Sequence, residues 1–170
     1  MRILFAAAVC VTGLMSVPAM AQSKIGVIDF QRAIVDTAEF KKAYTGIEAK
    51  YKPMQDQLQK TQQELSDIET TLRSSQGQLS QAGAAELQAK GQRKQTQVER
   101  LQTDLQEEFE AARDAALRLV GNRMAEVLKK VLDDKQLDII IDTQALRASR
   151  TTMDVTDAAI AAYNAAHPAQ

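Results

Sequence analysis

Residues Tyr44–Leu72 read YTGIEAKYKPMQDQLQKTQQELSDIETTL. Within this stretch Tyr44, Ile47, Tyr51, Met54, Leu58, Thr61, Leu65, Ile68 and Leu72 alternate steps of three and four residues, and Thr61 is the only polar member. That spacing keeps returning to one side of an α-helix and makes a narrow seam. Lys50, Lys52, Gln55, Asp56, Gln57, Lys60, Gln62, Gln63, Glu64, Asp67 and Glu69 fill the positions between, so the rest of the helix faces water. A core helix of a compact enzyme carries a wider apolar face. This one needs a partner along a single line. Pro53 lies inside the pattern, where a proline deletes a backbone hydrogen bond and clashes with the preceding turn, so a kink or a restart is expected near Lys52.

Downstream, Ser74-Ser75-Gln76-Gly77-Gln78-Leu79-Ser80-Gln81-Ala82-Gly83 gathers two glycines and three serines between two helical patterns, which is a turn signal. A returning helix is expected from about Ala84 to Leu132, with Leu87, Val98, Leu101, Leu105, Phe109, Ala112, Ala116, Leu119, Met124, Val127 and Val131 on its apolar side. Two successive steps of four at Leu101, Leu105 and Phe109 reset the phase of the stripe. Before Val98 the stripe is weak, with Gly91 and Lys94 near positions that a seam would fill, so this end of the hairpin is expected to be the loosest. Arms of this length reach on the order of 50 to 70 Å at 1.5 Å per residue. Two thin antiparallel helices do not make a globule.

Both ends of the chain carry strand signals. Lys24-Ile-Gly-Val-Ile-Asp-Phe30 supplies β-branched and aromatic residues in a short run, with a helical turn expected over Gln31 to Val35. After the polar stop Asp133-Asp134-Lys135 comes Leu137-Asp-Ile-Ile-Ile-Asp142, in the style of a buried strand. Ala145 to Ala148 could add a third strand, and Thr156 or Asp154 a cap for a closing helix through Tyr163. The expected fold class is therefore α+β, mainly α. Residues 22–38 and 133–170 form a small β-containing body and 39–132 an inserted helical hairpin that turns near 76–83. Two or three short strands are marginal alone. Further apolar surface is most simply supplied by other copies of the chain, so Ile25, Val27, Ile139, Ile140, Ile141 and Leu146 are expected to build an oligomerisation body.

The first residues, with Arg2, an apolar run from Ile3 to Met15 and the small residues Ala19 and Ala21, have the form of a secretory signal cleaved after Ala21. The apolar run is too short for a membrane span of roughly 20 residues. Cys10 is the only cysteine and lies inside that run, so the mature chain would contain neither a disulfide nor a thiolate metal site. Removing Arg2 with the signal leaves 20 basic against 22 acidic side chains, which does not suggest a nucleic-acid binder. With no Trp and few aromatic residues, the core is expected to be small.

No catalytic constellation emerges. The single histidine, His167, stands beside Pro168 close to the end of the chain, where a general base is not expected. There is no glycine-rich phosphate loop and no serine with a plausible histidine partner. Acid pairs such as Asp133 with Asp134 or Glu107 with Glu108 read as solvated helix faces, and Asp138 and Asp142 as charges at strand ends or caps. No catalytic, metal-binding or cofactor-binding residue is expected.

Lys24-Ile-Gly-Val-Ile-Asp-Phe-Gln31, the long Gln-rich hairpin, Leu137-Asp-Ile-Ile-Ile-Asp142 with Ala145-Leu146, and Asp154-Val-Thr-Asp157 with Ile160 together resemble the Skp (OmpH) family of periplasmic chaperones. The resemblance covers essentially the whole mature chain. It implies a homotrimer, a jellyfish-like architecture in which strands of three chains form a body and three hairpins project around a cavity. It further implies a periplasmic holdase that shelters unfolded outer-membrane β-barrel proteins without ATP. Familiar members of that family are strongly basic and this chain is not, so no lipopolysaccharide or anionic-membrane site is carried over. Lys41-Lys42, Arg93-Lys94 and Lys129-Lys130 remain as local basic spots. A structural coiled-coil spacer of the cell envelope is the alternative, and a metal-dependent enzyme a distant third.

Overall fold

The computed structural model describes residues 23–75 and 77–169. The expected signal segment, 1–21 with cleavage after Ala21, lies outside them. The order of elements is β1 (Ile25–Ile28), α1 (Phe30–Val35), α2 (Ala38–Ser74), α3 (Gln81–Asp134), β2 (Ile139–Asp142), two short 3-10 turns (Thr143–Ala145 and Thr151–Met153) and α4 (Thr156–Ala166).

Each helix start has a local cause. The Asp29 carboxylate accepts from the Arg32 N–H at 2.8 Å and opens α1. Thr37, fully buried, does two jobs at the corner between α1 and α2. Its hydroxyl donates to the Ile34 carbonyl at 2.8 Å and accepts from the Phe40 N–H at 3.2 Å, so one side chain ends one helix and caps the next. Ser80 caps α3 by accepting from the Gly83 N–H at 3.1 Å. In the turn before it, Gly77 has φ +87°, a left-handed conformation that suits glycine. At the other end of α3, Gln136 takes a left-handed conformation with φ 52°, while the Leu137 N–H donates to the Leu132 carbonyl and the Gln136 N–H to the Asp133 carbonyl. This is the Schellman closure, with glutamine where glycine is usual.

Helix α2 runs through Pro53 as one uninterrupted element, so no restart occurs near Lys52. The strands β1 and β2 pair in parallel, with Ile25 opposite Ile139, Gly26 opposite Ile140, Val27 opposite Ile141 and Ile28 opposite Asp142. The Lys24 N–H donates to the Asp138 carboxylate at 2.7 Å and anchors the start of this ladder. Gly26 leaves room for the body to close: a Cβ there would meet the Leu137 side chain at 2.7 Å.

A correction concerns the third strand. Ala145–Ala148 does not form one; Ala145 closes a 3-10 turn and Leu146 follows it outside any strand, half-buried. The Asp142 carboxylate accepts from the Gln144 N–H at 2.8 Å and turns the chain away from the ladder, as aspartate side chains do when they compete with sheet bonds. The third rung comes instead from Asp154, bridged to Val27, with the Val155 N–H donating to the Val27 carbonyl at 2.8 Å. Asp154 also accepts from the Thr156 N–H at 2.8 Å just before α4 begins.

The body and the root of the hairpin share one core. Ile28, Ile34, Phe40, Met124, Val131 and Tyr163 are among its buried members, with Met124 and Tyr163 fully enclosed. Beyond this root α2 and α3 continue as an antiparallel pair, and α2 as a whole is about 55 Å long at 1.5 Å per residue.

Candidate functional site

Two surfaces and one polar cluster stand out. The first surface is the hairpin. Of the α2 seam residues, Tyr51, Thr61 and Ile68 are buried, and Tyr44, Ile47, Met54, Leu58, Leu65 and Leu72 are half-buried. Nearly every residue between them is exposed. On α3, Val98 is buried against this line, and Leu101, Leu105 and Phe109 are half-buried.

The phase reset on α3 has a structural counterpart. Phe109 sets its ring edge against Tyr44 and Tyr51, at centroid distances of 6.1 and 6.0 Å, and Phe40 stacks on Tyr44 at 6.0 Å. One bulky ring from α3 thus fills the space opened between two turns of α2, a geometry that favours aromatic pairs. Farther out the seam changes character. Thr61 is buried, and its hydroxyl donates back to the Gln57 carbonyl at 2.8 Å, a bond that competes with helix packing. Lys94 meets Glu64 at 2.6 Å, and the lysine hydrogen bond holds that carboxyl below the usual range. Gly91 lets α3 approach Ile68, whose side chain would lie 3.4 Å from a Cβ. The weak stretch before Val98 is therefore filled by a charge pair and a close backbone approach rather than by apolar bulk.

The second surface is the uncovered side of the sheet. Ile25 is 36% exposed and its register partner Ile139 47% exposed, large apolar side chains lying side by side with nothing over them among the described residues. Next to them runs a groove of about 400 Å3 lined by Phe30, Ala125, Leu128, Leu132, Ile139 and Ile140. Within the body Val27 is buried, while Ile140, Ile141 and Leu146 are half-buried. Among the described residues the outer edge of β2 has no strand beside it. Exposed apolar patches of this kind next to an unpaired strand edge mark contact surfaces.

The polar cluster ties the arm to the C-terminal helix. Glu39, at the start of α2, accepts from Arg123 Nη1 of α3 at 2.5 Å and from the hydroxyl of Tyr163 of α4 at 2.6 Å. The Tyr163 hydrogen bond, followed by Arg123, holds the Glu39 carboxyl below its usual range, although partial burial opposes this. Burial, then the bond to Glu39, pushes the Tyr163 hydroxyl up to about 12. Sequence reasoning missed all three residues. The one available signal was Tyr163, a lone aromatic in an alanine-rich helix, since a buried tyrosine hydroxyl nearly always has a partner.

Among the described residues no helix is long and apolar enough to cross a membrane, and no group of three or more His, Cys, Asp or Glu side chains is placed to hold a metal ion.

The family model for outer membrane protein (OmpH-like) sequences matches residues 24–163 of this chain. A crystal structure from Caulobacter crescentus CB15, described as an outer membrane chaperone (OmpH-like), is similar in fold, with a TM-score of 0.68 at 20% identity, over 88% of this chain and 89% of that one. No curated protein matches the chain in sequence.

Proposed function

The chain belongs to the family of OmpH-like outer membrane proteins, and from that membership we propose that it is a holdase chaperone of the periplasm. It would bind unfolded outer-membrane β-barrel proteins between its helical arms and limit their aggregation without ATP. The observation that carries this reading is the long two-helix arm whose seam is only one side chain wide and turns polar at Thr61 and Glu64–Lys94. Such an arm is weakly held along its outer half, so it can bend around cargo of varied shape. A rigid spacer would be served by an uninterrupted apolar seam.

Unfolded barrel strands alternate apolar and polar residues and aggregate until the barrel closes. Many weak contacts along several arms add up to useful retention while leaving release possible. Several arms require several copies. We place the contact between copies at Ile25, Ile139, Ile140 and the neighbouring groove, with the outer edge of β2 pairing across it, and take three copies as the assembly that the resemblance implies. Val27, Ile141 and Leu146 belong to the same proposed body. Export by a signal cleaved after Ala21 is part of the same proposal, as is the absence of any catalytic step.

The test dilutes a urea-unfolded β-barrel protein into buffer with and without the purified chain, follows light scattering, and measures the mass of the assembly in parallel. Suppressed scattering by an oligomer is the expected result. A variant with both arms shortened symmetrically across 77–83 should keep the oligomer and lose protection. Undiminished protection by that variant would show that the arms are not the grip.

A further inference from the structure

The start of α2 and the end of α4 meet at the root of the arm, where the Ala38 N–H donates to the Asn164 side chain at 2.9 Å. Beside this junction lies a cleft of about 520 Å3 lined by Glu39, Lys42 and Ala43 of α2, Arg123 of α3, and His167 and Pro168 after α4. It shares no residue with the uncovered sheet or with the seam.

Glu39 is the only acid in the lining, and both of its oxygens are engaged, one by Arg123 and the other by the Tyr163 hydroxyl. Arg123 makes that contact through Nη1, and its side chain is 40% exposed. A guanidinium carries five N–H donors, so several remain for another partner. Lys42 is exposed and forms no ion pair among the described residues. The ring of His167 rests on Tyr163 at a centroid distance of 4.9 Å, and its main-chain N–H donates to the Tyr163 carbonyl at 2.8 Å, which holds this lining residue against the end of α4. The positive end of α2 and the negative end of α4 offset each other here, so the side chains set the sign. Lys42 and Arg123 against Glu39 leave one cation in excess in the lining.

A guanidinium fork and an ammonium lining one cleft from two helices recognise planar or tetrahedral oxyanions, the first by paired hydrogen bonds and the second as a point charge. The volume admits a small organic molecule rather than a bare halide. We propose that this cleft is a binding site for a small carboxylate- or phosphate-bearing anion, held by Arg123 and Lys42 with His167 closing one side.

His167 is the only histidine of the chain, so its ring C–H signals in a proton NMR spectrum of the untagged full chain report on this cleft alone. The chain is titrated at fixed pH and ionic strength with inorganic phosphate, with citrate, and with sodium chloride as control. A saturable displacement of the His167 signals by phosphate, by citrate or by both, absent with chloride, is expected, and whichever saturates assigns the phosphate or carboxylate class. Lys42→Gln should weaken that binding by about 5-fold, the scale of one charge-assisted contact, and Lys42→Glu should abolish saturation, both with unchanged thermal unfolding. Linear displacement by both anions, indistinguishable from chloride, would overturn the proposal, as would an isotherm untouched by Lys42→Glu.

Discussion

Replacing Tyr163 with Phe removes one oxygen from the centre of the fold and leaves the ring in place. The hydroxyl is buried and donates at 2.6 Å to Glu39, a charged acceptor. Hydrogen bonds to charged groups contribute about 1.5–3 kcal/mol. Glu39 keeps its bond to Arg123 and its side chain is 23% exposed, so water can take over part of the lost contact and about 1–2 kcal/mol is the expected destabilisation. For a domain of this size that corresponds to a melting temperature lower by roughly 3–6 °C, read by circular dichroism at one fixed protein concentration because association shifts apparent stability. The pH dependence gives a second, sharper readout. Glu39 has its carboxyl held below 4.5 in the fold, chiefly by this hydroxyl, so the folded state binds that proton less readily than the unfolded chain. The resulting stability is present in full above pH 4.5 and drains as the pH falls beneath it. On the alkaline side Tyr163 is raised from 10 to about 12, so its contribution is complete below pH 10 and disappears between pH 10 and 12. The difference between the parent chain and Tyr163→Phe should therefore form a plateau from pH 4.5 to 10 and shrink on both sides. A difference that is flat across the whole range, or absent at pH 7, would refute the coupling of Tyr163 to Glu39.

Three further outcomes are expected. Ile139→Asp places a charge on a side chain that is 47% exposed in the single chain, so it should leave the helical circular dichroism intact and shift sedimentation towards monomer, whereas an unaltered oligomer would clear β2 of any role in assembly. Thr61→Val removes the back-bond to Gln57 while the helix keeps its own backbone bond there, and it should stabilise the outer arm by up to about 1 kcal/mol, seen as slower amide exchange around 57–72; faster exchange would mean that the hydroxyl is needed. Gln136→Gly relieves a left-handed residue at the end of α3 and should raise stability by roughly 0.5–1 kcal/mol in urea unfolding, with a loss instead indicating that the Gln136 side chain, which accepts from Lys24 at 3.4 Å, matters more than its backbone.

The parts of the fold that could be read from the residues are those whose cause is local and repeated. The alternation of threes and fours from Tyr44 to Leu72, the Gly and Ser cluster that turns the hairpin, and the isoleucine run before Asp142 each carry their own signal. Helix ends came out a few residues off because caps decide them: Thr37 starts α2 at Ala38 and Ser80 starts α3 at Gln81. The supposed strand at Ala145–Ala148 fails for a similar reason, since one hydrogen bond from Gln144 to Asp142 outweighs the propensity of a short run. What could not be read is long-range and polar. Nothing in the spacing of Glu39, Arg123 and Tyr163 shows that they meet, because each stands alone on its own helix and only the packed root of the hairpin brings them together. The proposed anion cleft is hidden in the same way.

The wiring of the small sheet carries a consequence for how the molecule is born. Lys24 takes its partner at Asp138, 114 positions later, and Asp29 donates to Thr156, 127 positions later. Emerging from its first residue onward, the chain leaves Ile25–Ile28 unmatched until residues 138–142 have followed, while the hairpin can already coil on local contacts. The first strand to appear is thus among the last elements to find its place. For that interval a short apolar strand travels bare, and the hub of the molecule cannot close until nearly its final helix has arrived.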